Sequence, residues 1–109
     1  MSTWNVEILA FEGCPNRGRA IELVSRVVAE IGVEAMIEVV DVADGEQAQR
    51  LRFLGSPSIR VDGQDIQAGA DERNDFAMAC RVYTTDTGMK GLPDERWLAE
   101  ALTRTQPPR

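Results

Sequence analysis

The sequence predicts an α/β domain built on a four-stranded mixed sheet with helices on both faces. Two apolar runs of strand length flank a helical stripe, and a second short helix follows the second run. The pair Asp62-Gly63 then separates two short strand-like segments, the signal of a two-residue hairpin turn that changes the sheet from parallel to antiparallel.

Val6, Ile8, Leu9 and Phe11 make the first run, mostly apolar as in a central strand covered on both faces. Gly13 ends it. From Pro15, whose missing N–H suits a first helical turn, apolar residues recur at Ala20, Ile21, Val24, Val27, Val28 and Ile31, and Gly32 stops the helix. Ile37, Val39, Val40 and Val42 mark a second strand over Met36 to Val42. Two strands joined by one helix form a right-handed parallel unit. Asp44 and Gln47 are a capping pair for a short helix that turns Ala48, Leu51 and Leu54 inward and closes at Gly55. Ser58 to Val61 reads as the third strand and Gln64 to Gln67 as the fourth. Pro93, Asp94 and Glu95 open a final helix with Trp97, Leu98, Ala101 and Leu102 on one side. Before it lies an insert, Asp71 to Met89, with two readings. Phe76, Met78, Cys80 and Val82 alternate like a strand, and Phe76 to Cys80 also suits a helical turn. The tail, 105–109, is expected to fray.

A chain of 109 residues supports a single domain spanning 1–109. A net charge of −6 with scattered basic residues argues against nucleic acid or an anionic membrane as the main partner. No basic segment followed by an apolar run opens the sequence, so the expectation is a cytoplasmic chain with reduced thiols. The absence of histidine removes Ser-His-Asp and Cys-His machinery and every imidazole metal site. No cofactor is implied, and the chemistry falls to thiols, carboxylates or backbone.

Cys14 is the leading candidate. Between a strand and a helix, unpaired backbone N–H groups and the macrodipole favour the thiolate, the form that attacks disulfides and binds soft metals. Arg17, one turn on, adds positive charge, and Glu12 opposes it. Arg17 also stands where a Cys-x-x-Cys protein has its second thiol. The plainer readings are a small apolar residue at a structural junction for Cys14 and a solvated helix residue for Arg17. Cys80, among Ala77, Met78, Ala79 and Val82, has the surroundings of a buried, inert cysteine. It becomes a distant resolving thiol if the insert folds back over Cys14. Met1, Met36, Met78 and Met89 show no soft-metal spacing, and Asp71, Glu72 and Asp75 lack that of a calcium loop.

The order βαβαββα, a cysteine at the first strand-to-helix junction and Ser56-Pro57 directly before the third strand resemble the thioredoxin-like superfamily. More closely, Phe-Glu-Gly-Cys-Pro-Asn at 11–16, Phe-Leu-Gly-Ser-Pro-Ser at 53–58 and Cys-Arg-Val-Tyr at 80–83 are similar to small bacterial thioredoxin-like proteins, some of them catalogued beside alkylmercury lyases. The resemblance implies a cis Pro57 facing Cys14, with the Ser56 backbone as the edge that pairs with an extended thiol substrate and Pro15 and Arg17 beside it. The chain departs from the dithiol pattern at Arg17, from the buried acid at Ile8 and from the usual aromatic residue at Gly13. Glu12 and Gly69-Ala70-Asp71 do not match the glutathione-binding residues of glutaredoxins.

Three functions follow as expectations. The first is monothiol exchange or redox sensing through Cys14, with Cys80 as partner, acting on a thiol- or disulfide-bearing protein or small molecule. The second is a non-enzymatic binding module whose Pro57 groove holds an extended peptide or a partner subunit, a homodimer included. The third is a mercury or other soft-metal site formed by Cys14, Cys80 and a carboxylate such as Asp71.

Overall fold

Strand β1 (Trp4–Ala10) runs through the middle of the sheet, as its apolar content requires. Val6, Ile8 and Ala10 turn to one face and Leu9 to the other, and all four are buried. The structure is a computed structural model that describes residues 3–104; the tail expected to fray lies outside the described residues. Four strands form the main sheet in the order β2-β1-β3-β4.

Helix α1 (Arg17–Ile31) buries Ala20, Leu23, Val24 and Val27. It ends at Gly32, whose φ of 77° lets its N–H reach the Val28 carbonyl. The helix starts later than Pro15. Pro15 and Asn16 form a turn instead, because the Arg17 N–H closes back on the Cys14 carbonyl at 3.2 Å. Strand β2 (Ala35–Asp41) pairs in parallel with β1 from Trp4↔Ala35 to Ala10↔Asp41. It is an edge strand, so Met36 and Ile37 remain exposed.

Helix α2 (Gly45–Arg50) is capped by the Asp44 carboxylate, which accepts from the Gln47 N–H at 2.8 Å. It stops short of the expected Leu54 and Gly55. Arg52 adopts a left-handed φ of 54°, and the chain turns so that Phe53, fully buried, takes the inward place assigned to Leu54. Strand β3 (Ser58–Val61) lies antiparallel to β1 and forms a hairpin with β4 (Gln64–Asp65). Asp62 and Gly63 have φ of 50° and 85°, the paired positive values of the expected tight turn. Strand β4 is shorter than Gln64 to Gln67, because the Asp65 carboxylate accepts from the Gln67 N–H at 2.9 Å and bends the chain away.

The insert resolves into a 3₁₀ turn at Ala70–Glu72, an irregular stretch, and a separate hairpin of β5 (Tyr83–Thr85) and β6 (Gly88–Lys90). Phe76 to Cys80 is neither a helical turn nor a regular strand. Helix α3 (Glu95–Thr103) is capped by Asp94, which accepts from the Arg96 N–H at 2.9 Å, and buries Leu98, Ala101 and Leu102.

Two cores result. Helices α1 and α3 pack with Val6, Ile8, Ile59 and Val61 on one face of the sheet. On the other, Leu9 meets Val42, Phe53 and Ala48 of α2. Helices therefore cover both faces, as expected. Among the described residues no helix is long and apolar enough to cross a membrane.

Candidate functional site

Past the end of β1 the chain makes a tight turn, with the Cys14 N–H donating to the Phe11 carbonyl at 3.2 Å. Gly13 sits third in that turn with φ of 89°, a conformation that favours glycine. The turn brings Cys14 under the structure: it is 7% exposed, between exposed Gly13 and Pro15. Arg17 does not turn its charge freely toward the thiol, since its guanidinium donates to the Asp41 carboxylate at 2.9 Å, at the end of β2. The Arg17 Nε, also buried, has no partner among the described residues.

The Ser56-Pro57 bond is cis, and both residues are buried. Ser56 abuts the Cys14 turn, because its Oγ accepts a long 3.4 Å hydrogen bond from the Phe11 N–H. The Ser56 backbone edge carries a segment of the same chain. Its N–H donates to the Ala79 carbonyl at 2.8 Å and its carbonyl accepts from the Arg81 N–H at 2.9 Å, which sets Cys80 opposite Ser56 in a parallel bridge. The insert thus folds back to the Cys14 end of the sheet. The edge that the resemblance assigns to an extended substrate is already occupied from within.

The two thiols have the reverse of their expected exposures. Cys14 is buried and Cys80 is exposed. The cause lies in 80–83, where the side chains alternate in the sense opposite to the expected one: Cys80 and Val82 face solvent, while Arg81 and Tyr83 face inward. Arg81 turns inward because acceptors for both of its Nη atoms await it, although its buried Nε has no partner among the described residues. Its Nη atoms reach the Asp65 carboxylate at 2.6 and 3.1 Å, the Gln67 Oε1 at 2.8 Å and the Ser58 Oγ at 3.0 Å. The side chains of this ion pair are 1% and 4% exposed. The guanidinium also lies 4.4 Å over the Tyr83 ring. The Tyr83 hydroxyl donates to the Pro57 carbonyl at 2.5 Å, and burial pushes the phenol pKa well above its ordinary value.

Gly55 completes the arrangement. At φ of 123° it leaves no room for a side chain, since a Cβ there would approach the Arg81 Cβ at 3.0 Å and the Ala79 carbonyl oxygen at 3.1 Å. Sequence reasoning missed Asp65, Arg81 and Tyr83. The available signal was parity, which puts Arg81 and Tyr83 on one side of an extended 80–83 and Cys80 and Val82 on the other.

The carboxylate proposed for a soft-metal site is not brought to the thiols: an Asp71 oxygen accepts from the Asp65 N–H at 3.4 Å. Among the described residues no three cysteine, aspartate or glutamate side chains gather to hold a metal. A cavity of about 720 Å³ lies against Trp4, Met36 and Arg104, at the end of β1 remote from Cys14. A cleft of about 650 Å³ is lined by Asn16 of the turn before α1, Lys90 of the β5–β6 hairpin and Arg96 of α3, and by neither cysteine. Compared with known proteins, the chain matches no family model, no curated protein and no solved structure.

Proposed function

We propose that this chain is a thioredoxin-like thiol protein in which Cys14 and Cys80 act as a pair. One observation carries the reading: Cys80 stands on a segment bridged to Ser56, at the edge where a thioredoxin-like protein is expected to receive its substrate, and Ser56 abuts the Cys14 turn. The cis Ser56-Pro57 bond and the cysteine at the β1–α1 junction support the same family. Arg17 rules out a Cys-x-x-Cys pair, so the second thiol comes from the insert.

The substrate class is a disulfide-bearing protein or small molecule. The Cys14 thiolate attacks one sulfur of the disulfide, forming a mixed disulfide and releasing the first thiol. The Cys80 thiolate then attacks the Cys14 sulfur, forming the Cys14–Cys80 disulfide and releasing the second. Two electrons pass from the protein thiols to the substrate, and the protons of both protein thiols end on the released thiols.

The test uses oxidised glutathione and mass spectrometry of the whole chain, followed by peptide mapping. The reading expects a product that has lost two hydrogens and cross-links the Cys14 and Cys80 peptides. In Cys80→Ser the reaction is expected to stop at a glutathione adduct on Cys14. A glutathione adduct confined to Cys80, with Cys14 unmodified, would refute the reading.

A further inference from the structure

We propose that Tyr83 and Arg81 are positioning residues for the thiol pair, holding Cys80 in register against Ser56 and Pro57. The inference rests on the pair reading above and adds what makes the pair work. Cys80 belongs to no regular strand, and the segment before it is exposed and irregular. One bridge of two backbone hydrogen bonds, at 2.8 and 2.9 Å, attaches it to Ser56. A lone bridge of that kind slips readily, and the nearest backbone tie before it, the Ala77 N–H on the Phe53 carbonyl at 3.0 Å, lies three residues away.

Two side chains supply what the bridge lacks. Arg81, next to Cys80, is tied to Asp65, Gln67 and Ser58, so its Cα sits at a fixed height along the β3–β4 hairpin. Tyr83, two residues further, donates to the carbonyl of Pro57, the residue after Ser56. Both anchors point inward from the segment whose outward side chain is Cys80, and together they forbid a one-residue slip that would turn Cys80 to the opposite side. Neither touches a reacting sulfur in this arrangement. Their effect is on where the Cys80 sulfur is found, and thus on its effective concentration at Cys14.

The role has a readout that a purely structural one does not move. An anchor that stabilises the dithiol and disulfide forms equally leaves the redox equilibrium unchanged, whereas one that sets thiol register shifts it. The full chain is equilibrated with reduced and oxidised glutathione, quenched with acid, and the Cys14–Cys80 disulfide is quantified by mass. Tyr83→Phe keeps the ring between Arg81 and Trp97 and removes only the hydroxyl. It is expected to lower the equilibrium constant for the internal disulfide about five- to ten-fold, the scale of one buried hydrogen bond. The glutathionylation rate of Cys14 is measured in a Cys80→Ser background and should be the same with and without Tyr83→Phe. Arg81→Lys, which keeps the charge and loses the bidentate grip, is the second variant and should shift the equilibrium in the same direction. Native-like variants with an unchanged equilibrium would overturn the positioning role and leave the thiol pair standing. A wild-type chain that forms no Cys14–Cys80 disulfide would overturn both.

Discussion

Cys14 and Cys80 reach the same end of the sheet by opposite means. Cys14 is delivered by apolar periodicity: β1 and α1 bury Val6, Ile8, Ala20, Val24 and Val27, and the thiol sits in the turn between them. Cys80 is delivered by polar chemistry, through a buried ion pair, a tyrosine hydroxyl and one backbone bridge. Burying apolar surface tolerates small changes, because the force is non-directional and roughly proportional to area. A buried ion pair does not, since removing one member strands the other as an uncompensated charge. The Cys80 side is therefore the one that single substitutions should dislodge.

The hardest test of that contrast is Arg81→Met. It leaves the Asp65 carboxylate buried with its main donor gone, and destabilisation of about 3–5 kcal/mol is expected from urea unfolding. Combining it with Asp65→Leu should recover much of the loss, because the stranded charge disappears. A single-variant effect below about 1 kcal/mol would mean that water reaches Asp65 and that the Cys80 side is not held by this pair.

Gly55→Ala comes next. The new Cβ would sit at φ of 123° against the Arg81 Cβ and the Ala79 carbonyl, so the 79–81 segment must move. The expected loss is about 1–3 kcal/mol. Hydrogen exchange separates local from global effects: the Ser56 and Arg81 amides, which form the bridge, should lose protection while those of β1 keep theirs. Equal loss in both regions would erase the distinction between the two sides.

The same contrast explains what the sequence discloses. The strand, helix, strand, short helix and hairpin of the first two-thirds are legible because Val6 to Phe11, Ala20 to Ile31 and Asp62-Gly63 each carry a local period or turn signal that tertiary packing then respects. Helix α2 is misjudged by one turn because Phe53 and Leu54 are equally apolar, and only the left-handed Arg52 decides which is buried. The end of the insert, 80–83, is misjudged in sense. Its apolar residues look like the inner set, and Arg81 looks like a surface charge until Asp65, Gln67 and Ser58, all distant in sequence, supply its partners. Cys14 is legible as a candidate. Its burial and the pairing of Arg17 with Asp41 are not, because both depend on where the β1–α1 turn meets the end of β2.

Alkaline pH tests the Cys80 side without a mutation. Burial holds the Tyr83 phenol well above its ordinary value, so the folded chain keeps a proton that the unfolded chain releases above about pH 10. The raised folded-state value makes the sign definite: the contribution is complete below that pH and is lost as pH rises, by about 1.4 kcal/mol per unit. Tyr83 is the one tyrosine in the sequence, so phenolate absorbance reports on it alone. Absorbance should appear together with the loss of helical circular dichroism, and Tyr83→Phe should remove its share of the alkaline slope. Phenolate formation in a chain that is still folded would show that the ring is reached by solvent.

The smallest effect is expected at Arg17, on the Cys14 side. Sequence reasoning gives Arg17 the task of holding a thiolate at Cys14, so that a neutral substitute slows alkylation. The structure points the guanidinium at Asp41 instead, in an ion pair whose side chains are 35% and 65% exposed. A carboxylate at 2.9 Å cancels most of the field that the cation would exert at a sulfur, and solvent screens the rest. Arg17→Gln should change stability by less than about 1 kcal/mol, as for other exposed pairs. It should also leave the rate of iodoacetamide alkylation at Cys14 within about two-fold of wild type at neutral pH. Asp41→Asn is the sharper variant, because it frees the cation without removing it, and alkylation should then accelerate beyond the Arg17→Gln value. A marked slowing in Arg17→Gln together with no change in Asp41→Asn would return Arg17 to the thiol and show that Asp41 does not control it.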